Sequence, residues 1–559
     1  MTKEVILRGI AASWGIGVGN AIVVKVQSYK NTPHLRNNPI KALEKTKEKT
    51  LNMINKLISE VTPEVAEILR AHKLMVEAII EEALELVKTG KAPEEAITIV
   101  TDKYIELLKN SGSALIQLRS DDLADIKNTL LQNLLEGEDF NIKENSVIVA
   151  EEIYPSQLIR YSKKGVAGVV TEKGSYTSHA AIIARNLKIP IVFGIKDATK
   201  IINDGNLVIV DGFSGNLIVN PCESTIKEYL KRKKIFQSLF KKFEEVKDEI
   251  AETKDGRKIL VMANVGNEDD LNTALLNGCD GVGLFRLEFY FMNTNSLPSP
   301  QELAQIFEKF AKKLEGKPLT LRLLDIGGDK EILYLEIPKE HNPFLGLRGI
   351  RYLLKHEKLL KDQLEAIKLV KYKNIKIMVP MVSTVEEIRE LKKIIEKEKD
   401  NGDKKIGIMA EVPSIVFMAD KIMKEIDFIS IGTNDLTQYI FAVDRTNEDV
   451  SYLYDDMHPA VLRAIAMLTK EAQRANVPVE VCGELAGNPL AVPILIGLGI
   501  TELSVSPTLI PMIKWIIQKL SYNEAKELVE RVLELENGEE VREEVRKFFK
   551  NILKIELPW

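Results

Sequence analysis

Cysteine is scarce in this chain: Cys222, Cys279 and Cys482 are the only three in 559 residues, and no two form a Cys-x-x-Cys pair. That excludes a disulfide framework and fits a reduced, cytoplasmic protein. Long hydrophobic runs are missing as well. Nothing approaches the roughly eighteen apolar residues of a membrane span, and the opening Met-Thr-Lys-Glu-Val-Ile-Leu-Arg has no signal-peptide core, so a soluble protein with no membrane partner is expected. Positive charge is not in excess. The 77 Lys and Arg against 82 Asp and Glu leave a net charge of −5, mixed along helices without a basic stripe, which argues against a nucleic-acid partner. A GxxxxGK[ST] phosphate loop is absent.

A repeated pattern fills the second half. Ile429-Ser430-Ile431 runs into Gly432-Thr433-Asn434-Asp435, and this reads as a buried parallel strand whose end emerges where α/β enzymes keep their chemistry. The same form recurs where Gly281 to Phe285 meets Arg286, Leu319 to Leu324 meets Asp325, Ile406 to Ala410 meets Glu411, and Val479 to Val481 meets Cys482. Amphipathic stretches at 301–315, 357–372, 384–399 and 458–475 lie between. With Ile259 to Ala263 and Lys376 to Met381, there are eight or nine candidate strands, which predicts a (β/α)8 barrel over 255–559. One segment is surplus, either Leu345 to Gly349 or Leu503 to Ser506.

The first half differs. Residues 1–30 read as two strands around a turn at Gly15 to Gly19, since a strand follows the glycines and excludes a dinucleotide fingerprint. Residues 31–140 have helical period with breaks near Thr62-Pro63, Gly90 to Pro93 and Ser111-Gly112, as in antiparallel helices. Asp121, Asp122 and Asp125 there read as a solvated helix start. Residues 141–222 turn to strands around one short helix, Thr177 to Asn186, and 223–254 to a long Lys- and Glu-rich linker helix. His179 falls in the first turn of the short helix, where free N–H groups and the helix dipole favour an anion, so its imidazole is placed to carry a phosphoryl group. A histidine that only caps or packs is the competing account.

These segments resemble Enzyme I of the phosphoenolpyruvate-dependent sugar phosphotransferase system. The resemblance rests on Thr177-Ser178-His179-Ala180-Ala181 with Ile189-Pro190, Asp325-Ile326-Gly327-Gly328-Asp329-Lys330-Glu331, Asn342-Pro343-Phe344-Leu345-Gly346-Leu347-Arg348, Gly432 to Tyr439, and Cys482-Gly483-Glu484-Leu485-Ala486-Gly487. It implies a multidomain α/β protein, with a swivelling phosphohistidine domain, an all-α insert, the linker helix and a C-terminal barrel. It further implies that His179 accepts the phosphoryl group, that Arg286, Arg322, Asn434, Asp435 and Arg445 bind phosphoenolpyruvate, and that Glu411 and Asp435 hold Mg2+. Cys482 would protonate the enolate carbon, the helical insert would dock the phosphocarrier HPr, and the barrel would form a homodimer.

Elementary chemistry agrees. A phosphate and a carboxylate call for several guanidinium forks, and Mg2+ prefers a few carboxylates with substrate oxygens and water completing its octahedron. The chain departs from the family at Leu287, Leu323 and Val412, where threonine is usual, and at Asp121-Asp122-Leu123-Ala124-Asp125, where an acidic-Arg-Ala-Ala-Asp run is usual. Two other readings follow from these departures: a catalytically altered paralogue serving as a phosphorylated regulator or scaffold, or a relative of phosphoenolpyruvate synthase and pyruvate phosphate dikinase without the ATP domain.

Overall fold

The computed structural model describes residues 4–24, 38–58, 63–109, 114–135, 142–174, 180, 183–184, 187–292, 294, 296–327, 332, 334–335, 337–338, 340–397, 404–445, 447 and 450–557. His179 and most of the expected helix around it lie outside these residues. Two compact units divide the chain near Gln237.

In the first unit eight strands make one sheet: β1 (Val5–Arg8), β2 (Ile10–Ser13), β3 (Ile16–Val24), β4 (Val147–Ala150), β5 (Gly168–Thr171), β6 (Ile191–Phe193), β7 (Leu207–Asp211) and β8 (Asn216–Val219). Their order is β1-β8-β7-β3-β4-β5-β6-β2, with β3 to β6 parallel and the remaining neighbours antiparallel. Every residue of β4 and β5 is buried, as expected of parallel strands covered on both faces, and this explains their near-continuous Val and Ile. The turn expected over Gly15 to Gly19 is confined to Gly15, with φ +135°; Gly17 and Gly19 lie inside β3. Those two glycines serve packing, because a Cβ at either would run into the backbone of Ala167 or Asn145. A helix at Pro155–Lys163 went unread in the sequence. Pro155 opens it, and Gln157 Oε1 accepts from the Tyr154 N–H at 3.1 Å.

Between β3 and β4 stand four helices, α1 (Pro39–Ile58), α2 (Pro63–Lys88), α3 (Pro93–Lys109) and α4 (Ala114–Leu134). Proline at the first position of the first three suits a site whose N–H has no helical partner. Leu43, Leu69, Ile80, Ile97 and Leu130 close their shared core. Asp122 and Asp125 contradict the solvated helix start. Both lie in mid-helix and are buried, with His72 Nε2 3.3 Å from Asp122 Oδ1 and His72 Nδ1 3.8 Å from Asp125 Oδ2. Ser156 completes the group, donating to Asp125 Oδ1 through its hydroxyl at 2.6 Å and to Oδ2 through its N–H at 3.1 Å. Acidic residues spaced i and i+3 face one way on a helix, and here they face a histidine instead of water.

The second unit is a closed barrel of eight parallel strands: β9 (Leu260–Val265), β10 (Val282–Arg286), β11 (Leu319–Arg322), β12 (Ile375–Val379), β13 (Lys405–Ala410), β14 (Phe428–Ile431), β15 (Val479–Val481) and β16 (Glu502–Val505). Leu503 belongs to β16, so Leu345 to Gly349 is the surplus segment, and a 3-10 turn at Pro343–Leu345 leads into it. The four amphipathic stretches fold as Pro300–Lys313, Glu357–Leu369, Val385–Lys397 and Pro459–Ala475. Outside the strands, aromatic rings tie helix to barrel: Phe285 is fully buried with its ring 4.7 Å from that of Phe310, a burial worth about 1.5–3 kcal/mol. Inside, Leu284, Met378, Met409, Phe428 and Cys482 make one small cluster. The rest of the interior is unusually polar, with Ser430, Glu480 and Ser504 all buried.

Candidate active site

Parallel strands in a barrel present their last residues at one rim, and the charged residues of this unit collect there. Arg286 ends β10, Arg322 ends β11, and the two are register partners. Arg322 is buried and compensated: its Nη2 donates to Glu288 Oε1 at 3.0 Å, and its Nη1 lies 3.6 Å from Asp325 Oδ2. Burial opposes its charge, but Glu288, Asp325 and Glu411 outweigh that and raise its pKa. Arg286 stands in contrast. It is exposed at the mouth, makes no ion pair among the described residues, and has its pKa lowered, first by the dense protein around it and then by the charge of Arg322. Its open access to solvent softens that push. Two guanidinium groups side by side, one without a carboxylate, form a socket for an anion.

Arg348 ties the carboxylates together. Its Nε and Nη2 donate to Asp325 Oδ1 and Oδ2, each at 3.1 Å, while Nη1 and Nη2 reach Asp435 Oδ1 at 3.2 Å and Oδ2 at 2.9 Å. The fork geometry fixes Asp435 at the start of helix Thr433–Phe441. Glu411 is buried just beyond β13, its Oε1 accepting the Met381 N–H at 2.6 Å. Burial, and then the charges of Asp435 and Asp325, push its pKa up.

Asn434 and Arg445 meet at Glu484. Asn434 Oδ1 accepts the Glu484 N–H at 2.8 Å, its Nδ2 donates to Glu484 Oε1 at 3.2 Å, and Arg445 Nη1 lies 3.7 Å from the same oxygen. Cys482 follows β15 with its Sγ 3.7 Å from the Ile431 carbonyl oxygen, and burial, then Glu480, pushes the thiol up to about 12. It therefore keeps its proton at neutral pH. The ion-paired network joins Arg322 to Asp435 through Asp325 and Arg348, with Glu411 near enough to feel those charges and Arg286 beside Arg322, while Asn434 and Arg445 meet Glu484 in a more exposed cluster. Glu288, Arg348 and Glu484 were given no role in the sequence reading. Each is a charged residue within a few positions of a quoted motif or strand end, and that was the available signal. Leu287 and Leu323, where the family has threonine, are fully buried behind the arginines.

Among the described residues no three His, Cys, Asp or Glu side chains form a complete metal cage. Glu411 and Asp435 still fit a hard divalent cation. Their mutual repulsion at a buried position leaves negative charge to neutralise, and Mg2+ needs only one or two carboxylates when substrate and water supply the rest.

Three family models match the chain: the N-terminal domain of the PEP-utilising enzymes over residues 8–119, their mobile domain over 142–215, and their PEP-binding domain over 241–522. The phosphoenolpyruvate-protein phosphotransferase of Bacillus subtilis is 36% identical, covering 97% of this chain and 100% of that protein. That of Mycoplasma capricolum is 35% identical, covering 99% of this chain and 100% of its own. A solution structure of Enzyme I is 30% identical, with a TM-score of 0.34, and covers 41% of this chain and 99% of that one. The chain belongs to the family of phosphoenolpyruvate-protein phosphotransferases.

Proposed function

We propose that this protein takes the phosphoryl group of phosphoenolpyruvate onto His179 and passes it to a histidine of the carrier HPr, releasing pyruvate. The observation that carries this reading is Arg286, exposed and without an ion pair among the described residues, beside the compensated Arg322 at the barrel rim. Substrate phosphate and carboxylate would supply the negative charge this pair lacks, with Asn434 and Arg445 contacting the substrate from the Glu484 side. Glu411 and Asp435 would hold Mg2+, which when bound neutralises charge on the transferring phosphoryl group.

The chain's own residues account for the other steps. Arg348 holds Asp435 in place, Arg286 and Arg322 orient the anion, and Cys482, protonated at neutral pH, delivers its proton to the enolate carbon. Asp122 favours the HPr reading over the regulator, because its carboxylate is spent on His72 inside the helical insert and adds no charge to a docking surface. The protein would work in the cytoplasm as a homodimer.

Incubation with phosphoenolpyruvate carrying labelled phosphorus, with Mg2+ and with or without HPr, tests the reading. Label on His179 that HPr discharges is the expected result. Stable label that HPr cannot remove would favour the regulator, and no label would end both.

A further inference from the structure

Barrel interiors of this type are normally filled with branched aliphatic side chains. Here a polar line runs through the interior below Cys482. Ser430 directly precedes Ile431, whose carbonyl oxygen lies 3.7 Å from Cys482 Sγ, and the serine hydroxyl donates to Glu480 Oε1 at 2.6 Å. Glu480 is the register partner of both Ser430 on β14 and Glu502 on β16. Glu502 in turn lies 3.5 Å from Lys376 Nζ, and these last two side chains are 12% and 18% exposed. Ser430 and Glu480 are 0% and 2% exposed, so the line begins in a dry interior and ends at solvent. Room for it is provided by Gly283, where a Cβ would come within 2.5 Å of Glu480 Oε2 and Ser504 Oγ.

The charges say what the line carries. One cation, Lys376, serves two carboxylates, and its contact is with Glu502. Glu480 is left with a hydroxyl partner, and its pKa is raised by burial and by Glu502. A buried carboxyl facing another carboxylate holds a proton, and a hydroxyl between it and a thiol can pass one on.

We propose that Glu480 and Ser430 reload Cys482 with a proton after each turnover, drawing it from solvent past the Lys376–Glu502 rim. This rests on Cys482 being the acid of the reaction. In the first step the S–H bond of Cys482 breaks as a C–H bond forms on the enolate carbon, leaving a thiolate and pyruvate. The Ser430 hydroxyl then turns from Glu480 to the thiolate and gives it its proton while taking the carboxyl proton of Glu480, so the serine is unchanged and Glu480 becomes a carboxylate that feels the Lys376 charge. Uptake of one proton from water at the rim restores the acid. Each cycle moves one proton from solvent to carbon, with no change of oxidation state.

The test follows pyruvate release by the full chain, turning over phosphoenolpyruvate with Mg2+ and HPr, in Glu480→Gln, which keeps the shape and loses the proton. A resting thiol is already loaded, so the first turnover should run at the normal rate. Pyruvate should then appear as a burst of about one equivalent per subunit, followed by a steady rate roughly 10- to 100-fold below that of the unaltered protein. Glu480→Asp should recover part of the steady rate, and Ser430→Ala should give the same burst. A packing defect would lower both phases together. Linear release at the unaltered rate in Glu480→Gln would overturn the relay, as would a uniform loss in both variants. If Glu480→Gln fails to bind phosphoenolpyruvate, Ser430→Ala decides the matter by the same criterion. Cys482→Ala separates the two layers: full pyruvate production without that thiol would remove Cys482 as the acid and leave the relay nothing to serve.

Discussion

The barrel mouth and the helical insert both bury carboxylates in excess of cations, but they neutralise them differently. At the mouth Arg286, Arg322 and Arg348 stand among Glu288, Asp325, Glu411 and Asp435. In the insert a single histidine, His72, faces Asp122 and Asp125. Guanidinium groups stay charged at every pH a protein meets, so the mouth keeps its geometry. An imidazole can lose its proton near neutrality, so the insert's cluster depends on pH. A site that must hold an anion and a cation together needs the first arrangement. The second suffices to pin two helices.

Removing a cation from the mouth should produce the largest effect. Arg322→Met would strand Glu288 in a buried setting and leave Asp325 to Arg348 alone, and breaking a buried pair from one side costs about 3–5 kcal/mol. Phosphoenolpyruvate binding, read by calorimetry, should be lost with it. If denaturation and binding both stayed near their original values, the mouth would not be the rigid charged frame described above. Arg348→Lys is the subtler cut. It keeps the charge and loses the fork that grips Asp325 and Asp435 at once. A loss of about 1–3 kcal/mol is expected, together with a higher Mg2+ concentration for half-maximal phosphoenzyme formation. An unchanged metal requirement would dissociate Arg348 from the positioning of Asp435.

The contrast between the regions also explains what the sequence could and could not reveal. The barrel was legible because five of its runs are short, apolar and followed by charged or reactive residues, and Arg286 and Cys482 come directly from that pattern; Arg322, inside the run Leu319 to Leu324, was marked only by the family resemblance. Arg348 was not legible, since it follows no strand: a turn closed by Gly349 at φ +55° brings it to the rim, and periodicity says nothing about such turns. In the insert, helical spacing located four helices but misread Asp122 and Asp125. Their partners are His72 on α2 and Ser156 beyond β4, and contacts so distant in sequence leave no local trace. The same limit hid Glu480, which looks like an ordinary strand residue until the closed barrel sets it beside Ser430.

In the insert the sign of the pH effect can be worked out. Burial opposes the charged form of His72, but contact with Asp122 and the charge of Asp125 outweigh it, so its pKa is raised. Burial likewise raises that of Asp125, so the folded cluster holds its protons more tightly than the unfolded chain does. The stability contributed by the imidazolium is therefore fully present below the unfolded value of about 6.5 and is lost as pH rises through the higher folded value. Amide exchange in α2 and α4 of the full chain should quicken, beyond its intrinsic pH dependence, between neutral and alkaline pH. His72→Gln should abolish that extra slope, and a slope that survived the substitution would assign it elsewhere.

The smallest effect distinguishes the two regions most cleanly. Asp122→Asn keeps the shape of the side chain and removes one of the two charges facing His72. The imidazolium would retain Asp125, whose oxygens are already held by Ser156, so the cost should be about 1 kcal/mol and should appear below neutral pH, where His72 is charged. Because Asp122 is buried, transfer from the phosphoenzyme to HPr should proceed at an unaltered rate. A change in that transfer without a change in stability would mean that Asp122 faces the partner after all, and the insert's cluster, like the mouth, would then have to be counted as part of the working surface.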